Sequence, residues 1–157
     1  MKMVEDTRVL IVDDYATMRR IINNMLQQFG IANVDQAQNG AEALERMASA
    51  SYDAVLCDWC METMSGEDFL RTARTSHPGT PVIIVSAHGS QPIMDKARSL
   101  GAKSFLRKPF AVDTLRSAVE MACSLKLNTP TNESRQGLGG KLAGLLGSAG
   151  PASARRA

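Results

Sequence analysis

The sequence predicts an α/β fold: a doubly wound sheet of five parallel strands followed by a flexible C-terminal tail. Three observations predict it. Short apolar runs alternate with amphipathic stretches about five times, the pattern of parallel strands covered by helices on both faces. Four of those runs end on polar side chains that belong together chemically: Val9-Leu10-Ile11-Val12 on Asp13-Asp14, Ala54-Val55-Leu56-Cys57 on Asp58, Val82-Ile83-Ile84-Val85 on Ser86, and Ser104-Phe105-Leu106 on Lys108-Pro109. After Leu127 the composition turns abruptly to Gly, Ala, Ser and polar residues.

The first strand is the run that ends at Val12. Met18, Ile21, Ile22, Met25, Leu26 and Phe29 then recur at helical spacing, predicting a helix over residues 15 to 29 stopped by Gly30. A short strand over Asn33 to Ala37 and a helix over Ala41 to Ala50 follow. The third strand, 53 to 58, leads through a loop ending at Ser65-Gly66 into a helix over 67 to 76, which stops before Pro78. Strand four covers 81 to 86, the next helix 91 to 100 with Gly101 as its stop, and strand five 103 to 107. Val112 to Leu125 is the last helix, with Val112, Leu115, Val119 and Ala122 facing inward.

At 157 residues, 44% hydrophobic and 22% charged, the chain can bury one core. Boundaries fall at residues 7–126 for the folded domain and 127–157 for a basic tail that is disordered or folds on binding. No apolar run approaches the roughly 20 residues of a membrane span, and the start MKMVEDTR lacks a secretory apolar region, so a cytoplasmic location is expected. The formal charge of +2 is uneven: residues 126 to 157 hold five Lys and Arg against one acidic residue, so the basic excess belongs to the tail.

Three cysteines, an odd count, do not suggest a disulfide framework. Cys57 and Cys60 form a C-x-x-C, open to a redox or zinc reading. Against redox, Cys57 sits inside an apolar run where strand alternation turns it to a face of the sheet. Against zinc, there is no second pair, and only His77 and His88 remain to complete a site.

Parallel strands bring their carboxyl ends to one edge, where open α/β sheets bind ligands. That edge would gather Asp13, Asp14, Asp58, Ser86 and Lys108. Each residue alone has a plainer reading: an N-capping pair, turn chemistry, a strand stop. Together, three converging carboxylates repel one another and call for a divalent cation with oxygen ligands, for which Mg²⁺ is well suited. A carboxylate beside such a cation can attack phosphorus, with Lys108 as a point charge and Ser86 as a hydroxyl donor to the phosphoryl oxygens.

Over residues 7 to 126 the sequence resembles response-regulator receiver domains, specifically the CheY-like chemotaxis regulators. The resemblance is carried by VLIVDDYATMRRII at 9 to 22, DAVLCDWCMETMSG at 53 to 66, PVIIVSA at 81 to 87 and GAKSFLRKPF at 101 to 110. It implies a flavodoxin-like sheet of order 2-1-3-4-5 and a cis Lys108-Pro109 peptide. It further implies Asp58 as phosphoacceptor, Asp14 as a direct Mg²⁺ ligand, Asp13 as a ligand through metal-bound water, and the backbone carbonyl of Cys60 as the third protein ligand. Ser86 and Lys108 would contact the phosphoryl group. Ser86 and Phe105 would be the switch pair, and residues 88 to 122 the readout face. The implied function is a single-domain response regulator that takes a phosphoryl group from a histidine kinase and acts through protein contacts, with a flagellar motor switch as the expected target. Its chemistry would be limited to self-phosphotransfer and autodephosphorylation, with no sequence-specific DNA binding.

The chain departs from that pattern in three places. Cys60 stands for the usual Asn and Glu62 for the usual Pro, while Phe105 lacks the hydroxyl of the commoner Tyr. Metal binding should survive the first change, since a carbonyl is the ligand. Cys60 and His88 flank the path of attacking water, and Glu62 adds a carboxylate near the cation.

In the tail, Leu138, Leu142, Leu145 and Leu146 suggest a short amphipathic helix, weakened by interior glycines at about 1 kcal/mol each. It could fold on a partner, a membrane surface or a ligand. Arginine pairs with and stacks on guanine, and the tail is similar to the arginine-rich extensions of CheY-like cyclic-di-GMP effectors. Arg135, Gln136, Arg155 and Arg156 are the candidate contacts for that ligand.

Overall fold

The computed structural model describes residues 3–128. The leucine repeat and the candidate dinucleotide contacts Arg135, Gln136, Arg155 and Arg156 lie outside the described residues. After one 3-10 turn at Val4–Asp6, the elements are β1 (Arg8–Val12), α1 (Ala16–Gln28), β2 (Asn33–Ala37), α2 (Gly40–Ser49), β3 (Ala54–Asp58), α3 (Gly66–Ser76), β4 (Val82–Ser86), α4 (Gln91–Ser99), β5 (Ser104–Arg107) and α5 (Val112–Cys123). The strands form one parallel sheet in the order β2-β1-β3-β4-β5. Fold class and strand order are those the sequence and the resemblance led us to expect.

Alternation along the strands splits the interior into two layers. Val9 and Ile11 of β1 pack with Leu56, Ile83 and Val85 against Ile22, Met25 and Leu26 of α1, Phe29 just after it, and Leu115 and Val119 of α5. Leu10 and Val12 pack with Val55, Cys57 and Ile84 against Ala43 and Met47 of α2, Phe69, Leu70 and Ala73 of α3 and Ala97 of α4. The central strands β3 and β4 are buried throughout, as apolar runs covered on both faces must be. Edge strand β2 is half-exposed, which accounts for its polar Asn33, Asp35 and Gln36.

Local chemistry fixes the helix ends. Asn39 accepts from the backbone of Glu42 at 2.8 Å while Glu42 reaches back to the N–H of Gln38 at 2.8 Å, a reciprocal N-terminal cap for α2. Ser65 caps α3 by accepting from Asp68 at 3.1 Å. Gly30 and Gly101 follow α1 and α4 at φ of 96° and 98°, the left-handed conformation that glycine allows. Helix α5 ends two residues earlier than its apolar spacing suggested, because Ser124 adopts φ 55° and its N–H turns back to the carbonyl of Glu120. Val112 and Ala122 are only partly buried, whereas Leu115 and Val119 are fully inside. Packing also draws in both flanks of the domain: Val4 and Leu127 join the α1–α5 layer, and the N–H of Asn128 donates to the carbonyl of Phe29 at 3.0 Å.

Helix α3 is seated directly on the carboxyl end of β3. The N–H of Gly66 donates to the carbonyl of Trp59 at 2.8 Å, and a Cβ there would overlap the Asp58 carbonyl oxygen and the Trp59 backbone. Those are backbone atoms of the sheet edge and cannot step aside. Gly66→Ala is therefore expected to lower the unfolding free energy by roughly 1–3 kcal/mol, read by urea denaturation; an unchanged midpoint would show that the α3 junction is looser than described.

Candidate functional site

The four strand ends meet. Asp13 leaves β1 with 2% of its surface exposed, and Asp58 closes β3 with 8% exposed, beside an exposed Asp14. Carboxylate oxygens from Asp13, Asp14 and Asp58 lie within 4.8 Å of one another. Among the described residues this is the group of His, Cys, Asp and Glu side chains able to share one ion. Neither Cys57, Cys60 nor a histidine enters it, so the zinc reading of the C-x-x-C finds no support there.

Each side chain is aimed by its backbone surroundings. Asp13 Oδ1 accepts the N–H of Tyr15 at 2.9 Å, so the turn chemistry considered for this aspartate is present alongside its place in the cluster. Lys108 follows β5, and its N–H donates to the carbonyl of Ser86 at 2.8 Å, fastening the two strand ends together. Its Nζ lies 3.1 Å from Asp13 Oδ2 and 3.5 Å from Asp58 Oδ1, with 14% of the side chain exposed. Ser86 is fully buried, and its Oγ accepts the N–H of His88 at 3.0 Å. The Lys108-Pro109 peptide is cis.

Burial pushes the Asp58 carboxyl up from 3.8 to about 6; Lys108 opposes this, and Asp13 adds to it. One ammonium does not compensate three carboxylates, so the edge keeps an uncompensated negative charge. Its all-oxygen donor set suits a hard divalent cation rather than a soft one. A cavity of about 470 Å³ opens alongside, lined by Asp14, Trp59, Cys60, Met61, Glu62 and Ser65, and gives a small ligand room to approach. Glu62 lines this cavity together with Asp14 but is not part of the three-carboxylate group. The backbone of Cys60 donates to the Asp58 carboxylate, and the Cys60 side chain points into exposed surroundings. Cys57 is fully buried, and burial followed by the nearby Asp58 pushes its thiol well up, the opposite of a redox nucleophile.

Phe105 lies on β5, paired in register with Ile84 two residues before the Ser86–Arg107 pair. It is half-buried against the α2–α4 layer, and with Met94 and Ala97 it lines a cavity of about 290 Å³ between α4 and β5. The expected switch pair is therefore on neighbouring strands, with space beside the ring.

One contributor, Arg19, escaped the sequence reading. Arg19 Nη1 donates to the carbonyl of Asp13 at 2.6 Å and its Nε to Gln36 Oε1 at 3.1 Å, bracing the loop that carries Asp13 and Asp14. Its only signal was a charge one turn into a helix that faces the site. Thr63 takes φ 68°, unusual for a β-branched residue, in the loop where Glu62 stands for the usual proline.

The model of the response regulator receiver domain family matches residues 9–120. The chain is 36% identical over 115 residues to chemotaxis protein CheY of Pseudomonas aeruginosa, covering 72% of this chain and 93% of that protein. Among solved structures it is similar to a response regulator receiver domain protein from Clostridium thermocellum, at TM-score 0.71 and 31% identity over 75% of this chain and 94% of that one. It is also similar to a Borrelia burgdorferi protein described as a CheX–CheY–BeF3–Mg²⁺ complex, at TM-score 0.71 and 26% identity over 74% of this chain and 88% of that one. The chain belongs to the response regulator receiver domain family. Within that family its likeness is to the CheY chemotaxis proteins.

Folded Asp58 holds its proton up to about pH 6, whereas an unperturbed aspartate releases it at 3.8. Between those values the folded state binds more protons than the unfolded one, so this group's contribution to stability falls as pH rises through the window. In EDTA at about pH 7.5, Asp58→Asn should be more stable than the wild type by roughly 1–3 kcal/mol, the gain fading as pH approaches 4. Paired denaturation curves across that range check it, and a variant less stable at neutral pH would contradict the assigned charge imbalance.

Proposed function

We propose that the chain is a CheY-like phosphorelay switch that accepts a phosphoryl group on Asp58 and changes a protein-binding face in response. The observation that carries this reading is the convergence of Asp13, Asp14, Asp58, Ser86 and Lys108 on one sheet edge. The donor is a histidine kinase's phosphoimidazole. Its N–P bond breaks as an Asp58 carboxylate oxygen forms the new P–O bond, and the imidazole recovers a neutral form by taking up a proton. Mg²⁺, held by Asp13, Asp14, Asp58 and the backbone carbonyl of Cys60, would supply neutralisation of the phosphoryl and carboxylate oxygens. The Borrelia burgdorferi relative forms its complex with Mg²⁺ and BeF3, which supports both the metal and a phosphoryl-like group as partners of this chain.

The chain's own side chains do the rest. Asp58 attacks as a carboxylate, and its raised pKa of about 6 still leaves it mostly ionised at neutral pH. Lys108 transfers its charge from the Asp13 and Asp58 carboxylates to the incoming phosphoryl oxygens, as a point charge on a flexible stem can. Ser86 gives up the role of acceptor from His88 and donates its hydroxyl to a phosphoryl oxygen, drawing the β4–α4 loop with it. Phe105 then turns into the space behind that loop, and the α4–β5–α5 face, residues 88 to 122, presents a new surface to its target. The ring has no hydroxyl, so packing alone holds the inward state. Cys60 and His88 border the water path and set the lifetime of the phosphoryl group.

Beyond self-phosphotransfer and hydrolysis the chain carries out no reaction. Its target is a protein, with the flagellar motor switch as the candidate that best fits its chemotaxis relatives, and it acts in the cytoplasm. Acetyl phosphate with Mg²⁺ is expected to add about 80 Da in an intact-mass spectrum, and EDTA or Asp58→Ala should abolish the adduct. An adduct that persists in Asp58→Ala would remove Asp58 as the acceptor.

A further inference from the structure

A second feature lies at the far end of the sheet. The Cys123 Sγ donates to the carbonyl of Asp53, just before β3, so the carboxyl end of α5 sits at the amino ends of the strands. There a cavity of about 640 Å³ opens between the first turn of the chain and the outward side of α5. Met3, Val4, Met121 and Leu125 give it mostly carbon walls, and Met3 and Met121 are 54% and 64% exposed. Methionine is unbranched and polarizable, suited to receiving an apolar segment of irregular shape.

The described chain leaves the domain beside this groove. Ser124 and Lys126 form its rim. The N–H of Leu127 donates to Glu120 Oε2 at 2.9 Å and that of Asn128 to the Phe29 carbonyl at 3.0 Å, pinning the exit point. Residues 129–157 follow, carrying Leu138, Leu142, Leu145 and Leu146 at i, i+4, i+7 and i+8. The polar residues 129–137 can span up to roughly 30 Å, ample to bring the first leucine back to the groove. Tethering on so short a linker gives an effective concentration in the millimolar range, so a contact too weak to join separate molecules suffices. Gly137, Gly139, Gly140 and Gly144 make the stripe a poor helix alone, and a surface must supply the ordering energy.

We propose that residues 138–146 dock on their own domain, seating their leucines against Met3, Val4, Met121 and Leu125. This contact is independent of the phosphoacceptor reading. The docked segment covers the outward side of α5, so a partner that grips Met121 must displace it. A ligand of the tail's basic residues shifts the same competition.

The test uses the full chain labelled at the methionine methyl groups and followed by NMR, with Leu142→Asp/Leu145→Asp as the variant. That variant changes no described residue, and the Met18 and Met25 signals from the α1 core report that the domain stays folded. The expected result is a shift of the Met3 and Met121 signals in the variant, with Met18 and Met25 unmoved and no dependence on protein concentration. Unmoved Met3 and Met121 signals would overturn the proposal. So would a difference that vanishes on dilution, which would assign the groove to a second copy of the chain.

Discussion

Mutual repulsion among three carboxylates held within reach of one ion governs the carboxyl edge of this sheet. Asp13 and Asp58 are buried and Asp14 is exposed, and the sheet brings all three together at adjacent strand ends. Lys108 is drawn between Asp13 and Asp58 because the edge offers it two partners at once. Its ammonium relieves the strain only in part, which is why burial still raises Asp58 to about 6. Such an edge gains from any arriving positive charge. In the proposed function that gain would favour a divalent cation held by Asp13, Asp14 and Asp58, whose charge would offset that of a dianionic phosphoryl group.

The same edge is joined to the rest of the molecule through the last turns of β4 and β5. The bond from the Lys108 N–H to the Ser86 carbonyl ties the ammonium-bearing residue to the hydroxyl-bearing one. Phe105 sits two residues upstream on β5, against a cavity beneath α4. A displacement of Ser86 therefore has a short mechanical route to the α4–β5 surface, with space already present for the ring. The two-layer core behind the sheet stays rigid, since β3 and β4 are buried along their full lengths.

The legible part of the structure was the part written in local pattern. Each strand shows as a short apolar run, and the residue that ends it marks the site, so Asp13, Asp58, Ser86 and Lys108 could be named before their spatial convergence was known. The order of the strands came from the resemblance, because apolar runs of similar length do not say which neighbours which. Long-range pairings left no local trace: Lys108 meets Asp13 across 95 positions, and Arg19 reaches the Asp13 carbonyl from the next helix. Helix α5 ends two residues short of its apolar spacing because Ser124 turns left-handed, a backbone choice that spacing does not encode. The inclusion of Leu127 in the core was hidden for a related reason, a single apolar residue after a helix stop having no periodicity to announce it.

Trp59, the chain's one tryptophan, follows Asp58 directly and borders the approach to the three carboxylates. Titrating its fluorescence with Mg²⁺ in the wild type and in Asp14→Ala tests the shared-ion site most directly. A saturable change in the wild type that is lost or strongly weakened in the variant is the predicted result; no response to Mg²⁺, or the same response in both proteins, would contradict it.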